Sequence, residues 1–147
     1  MVPTYRLNAT TISVKETTVK YLLAIYSNPR NWAHPTFRHQ AGVGDDDVAA
    51  MQVQFDELLA EITGSGELVE GVPLADPALA RTIRVREGVA ASTDGPYAEA
   101  KEQIAGYFLI DCESPERAAE IAARFPDARF GAVEVRPVMD LSGGLEM

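Results

Sequence analysis

Ile104-Ala105-Gly106-Tyr107-Phe108-Leu109-Ile110 is the most apolar stretch of the chain. It carries β-branched and aromatic residues with no polar alternation, the pattern of a strand covered on both faces. Ile104, Phe108 and Ile110 should face one way and Ala105, Tyr107 and Leu109 the other. Immediately before it runs Thr93-Asp94-Gly95-Pro96-Tyr97-Ala98-Glu99-Ala100-Lys101-Glu102. Asp-Gly-Pro is a turn signal with a mechanism: Asp can cap its own backbone, Gly accepts positive φ, and Pro fixes φ at about −65°. The turn should hold Asp94, Glu99, Lys101 and Glu102 together at one end of a sheet.

Only one other segment is as apolar on both faces, Val19-Lys20-Tyr21-Leu22-Leu23-Ala24-Ile25-Tyr26, stopped by Ser27-Asn28-Pro29. Asp45-Asp46-Asp47 then opens a helix at its positive end, and Val48, Met51, Phe55, Leu58, Leu59 and Ile62 form its apolar stripe up to Gly64-Ser65-Gly66. Glu67 to Leu74 is a strand interrupted by Pro73, hence an edge. Arg81–Arg86 and Val89–Thr93 alternate around Glu87-Gly88 as a hairpin. Ser114-Pro115-Glu116 starts a second helix, with Ala118, Ile121, Ala122 and Phe125 as its buried side and Pro126 as its stop. Gly131 to Val138 is the last strand.

Without the hairpin the order is strand, helix, strand, strand, helix, strand. This predicts an α+β fold, a ferredoxin-like βαββαβ unit with an inserted β-hairpin and two helices on one face of an antiparallel sheet. The two apolar strands would be central, and the strands carrying Glu67, Glu70, Glu134 and Arg136 would be edges. Two helices cover one face only. The other face therefore calls for a second copy of the chain, as a homodimer. Residues 1–18 read as an N-terminal extension, 19–139 as the domain and 140–147 as a flexible tail.

With 147 residues and a formal charge of −9, the chain lacks the clustered Lys and Arg that phosphate backbones select, so nucleic acid is not expected as a partner. No apolar run approaches the roughly 20 residues that span a bilayer, so no membrane partner is expected either. The N-terminus shows no secretory signal, and the single cysteine, Cys112, suits a reducing cytoplasm.

From about Val19 to Met139 the chain resembles the YCII-related family, in the subgroup marked by an Asp-Gly-Pro-Phe (DGPF) motif. The residues carrying the likeness are Lys20-Tyr21-Leu22-Leu23, Ile25-Tyr26, Thr82-Ile83-Arg84-Val85-Arg86, Thr93 to Glu99, Lys101-Glu102, Gly106-Tyr107 and Val133 to Val138. Tyr97 stands in place of the motif's phenylalanine. The resemblance implies a bacterial dimeric α+β barrel of unassigned biochemical role, with some relatives associated with extracytoplasmic-function sigma factors. Other family members are proposed to use a histidine early in the first helix with an aspartate near its end. Here those places read Met51-Gln52-Val53-Gln54 and Thr63-Gly64-Ser65-Gly66, without either residue.

The candidate site gathers Asp94, Gly95, Pro96, Tyr97, Lys101 and Trp32 at the mouth of a cavity that takes a small molecule or a protein partner. If the site is catalytic, Asp94 serves as general base, Lys101 orients an anionic substrate, and Tyr107, Tyr97 or His34 moves the second proton. The alternative is a turn capped by Asp94 and flanked by exposed ion pairs. The long loop from Asn28 to Gly44 would fold Trp32 and Phe37 over the mouth. His34 and His39, five residues apart in a loop, do not have a helical metal-ligand spacing, and neither a cofactor nor a metal is expected. Carboxylates at Asp111 and Glu113 argue against a nucleophilic Cys112. Replacing the cap, Ser114→Ala, should cost about 1 kcal/mol in urea unfolding.

Overall fold

A computed structural model describes residues 18–140 apart from Ala41 and Glu99. The extension before residue 18, most of the expected tail and Glu99 lie outside the described residues. The elements are β1 (Val19–Ser27), α1 (Asp45–Gly64), β2 (Leu68–Pro73), β3 (Arg81–Arg86), β4 (Val89–Asp94), β5 (Gln103–Cys112), α2 (Pro115–Ala123) and β6 (Ala132–Pro137). β2, β5, β1 and β6 lie side by side in that order, all antiparallel, so the two apolar strands are central and the charged ones are edges. β3 and β4 form a separate two-stranded ribbon rather than part of the main sheet. Glu87 and Gly88 both take positive φ at its tip, the backbone that a two-residue hairpin turn demands.

Both helices lie on one face. Tyr21, Leu23, Ile25, Ile110 and Cys112 from the central strands form one core with Leu58 and Ile62 of α1 and Ala118, Ile121 and Ala122 of α2. Ser114 caps α2 as expected, its Oγ accepting from the Arg117 backbone N–H at 3.0 Å. Phe37, expected over the mouth, is instead fully buried and meets Phe55 edge to face. Phe55 in turn contacts Phe108 and Phe125, whose rings tilt together at 4.8 Å. Arg117 grips Glu67 with two bonds of 2.8 and 2.9 Å and also reaches Glu61 and Glu120. Hydrogen bonds from Arg124 and then Arg117 hold the Glu61 carboxyl down at about 2, joining the end of α1 to α2 and β2.

The expected facing of β5 fails at one point. Ile25 pairs with Gly106 but Tyr26 pairs with Ile104, so Ala105 is an extra residue without an opposite on β1. Directly opposed residues share a face. Ile104 therefore follows Tyr26 to the face away from the helices, while Ala105 is buried in the helix-side core. A β-bulge shifts the alternation by one, which residue hydrophobicity alone cannot announce. On that far face Leu22 opposes Leu109 and Ala24 opposes Tyr107.

The bulge also brings two backbones unusually close. A Cβ on Gly106 would stand 2.6 Å from the Val72 carbonyl oxygen and 3.1 Å from the Pro73 Cα. Neither atom can yield without parting β2 from β5. Gly106→Ala should thus destabilise the fold by about 1–3 kcal/mol in chemical denaturation, as overpacking does. An unchanged midpoint would show that β2 gives way freely.

Candidate functional site

The end of the sheet beside the bulge holds a cavity of about 250 Å³. Its walls are mostly apolar: Ile25 from β1, Phe55 from α1, Val72 and Pro73 from β2, and Ala105, Gly106 and Phe108 from β5. Gly71 matters to its shape, because a Cβ there would stand 2.6 Å from the Phe108 ring, which lies across the glycine. The remaining wall comes from His34, Pro35 and Thr36 of the loop after β1 and from Asp127 in the turn after α2. The structure thus brings two sequence-derived candidates, His34 and Tyr107, to one cavity.

The loop is pinned by hydrogen bonds. The Leu74 carbonyl accepts from Trp32 Nε1 at 3.0 Å, the same indole N–H also reaches His34 Nε2 at 3.1 Å, and that imidazole nitrogen lies 2.5 Å from the Leu74 carbonyl oxygen. Trp32 stacks on His39 at 5.8 Å between ring centroids. The His39 ring is fixed in its turn. Nδ1 accepts from the Ala33 backbone N–H, which leaves Nε2 to donate to Ser27 Oγ at 2.9 Å. Both histidines are thereby engaged by the protein itself. Among the described residues, no group of three His, Cys, Asp or Glu side chains is close enough to hold a metal ion.

Tyr107 contributes to the lining, but its hydroxyl donates to Glu70 Oε2 at 3.2 Å, and this bond raises its pKa. That phenol is committed to a neighbour on the edge strand rather than to the cavity.

The most consequential polar groups here are ones that sequence reasoning passed over. Asp127 and Thr36 are only 5% and 4% exposed. Asp127 Oδ1 and Thr36 Oγ1 are both buried without a hydrogen-bond partner. Burial raises the Asp127 carboxyl to about 6, against smaller opposing effects of the Asp127 and Phe37 backbone N–H groups and of His34. Pro126-Asp127 reads in sequence as a helix stop, and Thr36 as one more loop residue. Only the fold, by placing both in the wall of one cavity, makes them notable.

The Asp-Gly-Pro-Tyr corner lies elsewhere. The Asp94 side chain is 93% exposed and approaches Arg81 at 3.9 Å. It is absent from the cavity that His34 and Tyr107 share, so the expected grouping of Asp94 with those residues is not formed. Tyr97 is 75% exposed and lies under the Arg84 guanidinium at 5.0 Å. Lys101 and Glu102 are exposed. Gly95 does shape the turn. It takes φ +100°, donates to the Ala80 carbonyl at 2.7 Å and accepts from Thr82 Oγ1 at 3.0 Å. Pro96 lines a second depression with Leu74, Pro77, Leu79, Gln103 and Ile104. Leu74 is common ground, its carbonyl tied to Trp32 and its side flanking Pro96.

Comparison with known proteins gives two findings. The YCII-related domain model matches residues 19–142. An uncharacterised protein of Rhizobium meliloti (strain 1021) is 35% identical over 94 residues, covering 63% of this chain and 70% of that protein.

The Asp127 environment has a measurable signature. The folded protein holds this carboxyl at about 6, above its ordinary 3.8, so the unfolded chain ionises first as pH rises. Asp127 then lowers stability progressively between those values and by a constant amount above the upper one, about 3 kcal/mol for a shift of this size. Asp127→Asn should accordingly raise the unfolding midpoint at pH 8, with the advantage vanishing below pH 4. An advantage independent of pH would disprove the assignment.

Proposed function

The chain belongs to the YCII-related domain family, and from that premise we propose that it is a small-molecule-binding domain that works as a homodimer. One observation carries the binding reading: a largely apolar cavity of about 250 Å³ is walled by sheet, helix and loop and lined also by His34, Thr36 and Asp127. The volume is below the roughly 300–1,000 Å³ of pockets for drug-sized ligands, so the ligand is compact.

The dimer is supported by two surfaces. Leu22 and Leu109, opposed on the far face of the sheet, are half-buried and lie outside the core that packs against the helices among the described residues. The hairpin adds Ile83, Val85 and Val89 at 59%, 56% and 67% exposure, an apolar load that isolated chains rarely leave in water. Pairing with a second copy would give these surfaces a partner. Thr93 to Lys101, with Tyr97 for the motif's phenylalanine, supports placing the chain in the Asp-Gly-Pro-Phe subgroup. The corner is exposed and outside the cavity lining, which supports a surface role for that motif.

Two measurements test this reading. Light scattering on the purified protein should give about twice the 15.9 kDa of the chain, and Leu109→Glu should return it to one chain. Native mass spectrometry or a thermal-shift screen of compact apolar compounds should show a bound species. A single-chain mass for the unmodified protein would remove the dimer, and a silent screen would remove the cavity's role.

A further inference from the structure

We infer that β4 is an interaction edge whose occupant is β4 of a second copy, so that two hairpins join into one four-stranded ribbon. This rests on the homodimer reading above and adds the backbone that the copies share. The hairpin register shows which backbone groups are available. Glu87 and Gly88 form a two-residue turn with positive φ, so Arg86 and Val89 are the closing hydrogen-bonded pair. Bonded and non-bonded pairs alternate from there along the ladder. The Gly95 N–H, donating to the Ala80 carbonyl at 2.7 Å, continues the same phase at the other end. Ile83 and Val85 on β3, and Ala90 and Ser92 on β4, therefore turn their N–H and C=O groups outward. β4 pairs with β3 alone, and all six of its residues are exposed.

Strand edges left in water are normally guarded by charge, proline or a bulge. Among the described residues, three edges follow that rule. β2 carries Glu70 and Pro73, and β6 carries Glu134, Arg136 and Pro137. β3 carries Arg81, Arg84 and Arg86, and Arg86 Nη1 also donates to the outward Val85 carbonyl at 3.0 Å. β4 has no such guard, since Val89-Ala90-Ala91-Ser92-Thr93 holds neither charge nor proline. A charged peptide strand would find no counter-charge along it. A copy of itself fits. Antiparallel pairing about a twofold axis lays uncharged side chains opposite one another and leaves the arginines of both chains on the two outer strands. It also answers a need of the hairpin. A two-stranded ribbon is marginal in water, whereas four strands gather Ile83 and Val85 of both chains, 59% and 56% exposed, on one apolar face.

Sedimentation velocity over a dilution series of the full chain, with amide exchange read by NMR, tests the shared edge. In the dimer the Ala90 and Ser92 amides should exchange about tenfold or more slowly than the equally outward Ile83 and Val85 amides, and dilution to single chains should erase the difference. Ser92→Pro removes one outward N–H from each copy without touching a bond inside the hairpin. It should raise the dimer Kd about tenfold or more. Ser92→Ala keeps that N–H and should match the unmodified protein. Ala91→Lys leaves every N–H in place but puts a cation along the edge; it should weaken the dimer as well, and it carries the test if the proline variant does not fold. Fast-exchanging Ala90 and Ser92 amides in a dimer, a Kd unmoved by either folded variant, or a loss as large in Ser92→Ala would overturn the shared edge and leave the homodimer reading standing. A single-chain mass for the unmodified protein at every concentration would overturn both.

Discussion

The arrangement depends on the antiparallel pairing of β1 with β5. These are the two strands with no polar face, and their register places Tyr21, Leu23 and Ile25 against Ile110, Phe108 and Gly106 on the helix side. Burial of that side against Leu58, Ile62, Ala118 and Ile121 supplies the main hydrophobic driving force, on the order of 1.5–3 kcal/mol for each large side chain taken out of water. Everything that follows is set by how the pairing ends. Where it runs regularly, the helices pack tightly on it. Where the bulge at Ala105 breaks it, β2 closes onto Gly106, Phe108 settles over Gly71, and room opens between sheet, helix and loop.

That opening is completed by segments with no regular structure of their own. The loop after β1 and the turn after α2 contribute the polar end, and both are anchored from outside the cavity. Trp32 and His34 share the Leu74 carbonyl, while Phe37 enters the aromatic cluster that also contains Phe125. Rigid aromatic anchors on either side hold Thr36 and Asp127 in place while their own oxygens remain unsatisfied.

The fold was legible because several levels of the sequence agreed. Apolar periodicity placed both helices, proline and charge marked the edge strands, and Ser114-Pro115 fixed the start of α2. The candidate site was legible only in part. His34 stood out as a titratable group in a long loop, and Tyr107 as a polar tip on an apolar strand; both residues line the cavity, but the Tyr107 hydroxyl turns away to Glu70. Asp94 stood out through its turn, but turn chemistry says where a chain reverses and not what the reversal faces. Asp127 and Thr36 left no local signal. Their significance lies in loss of solvent and a missing partner, which arise only when residues 91 positions apart in the chain are brought together. The bulge was hidden for a similar reason, since Ala105-Gly106 fits regular pairing as well as a register shift.

The clasp at the Leu74 carbonyl has an optical consequence. Trp32 is the only tryptophan in the chain, and its indole N–H and ring face are both engaged in the loop that goes on to wall the cavity, one by a carbonyl and the other by His39. Indole emission responds to its hydrogen bonding and stacking, so the native fluorescence of this protein is an intrinsic gauge of whether the Trp32–Leu74 and Trp32–His39 contacts are intact. No dye or label is needed to follow that state.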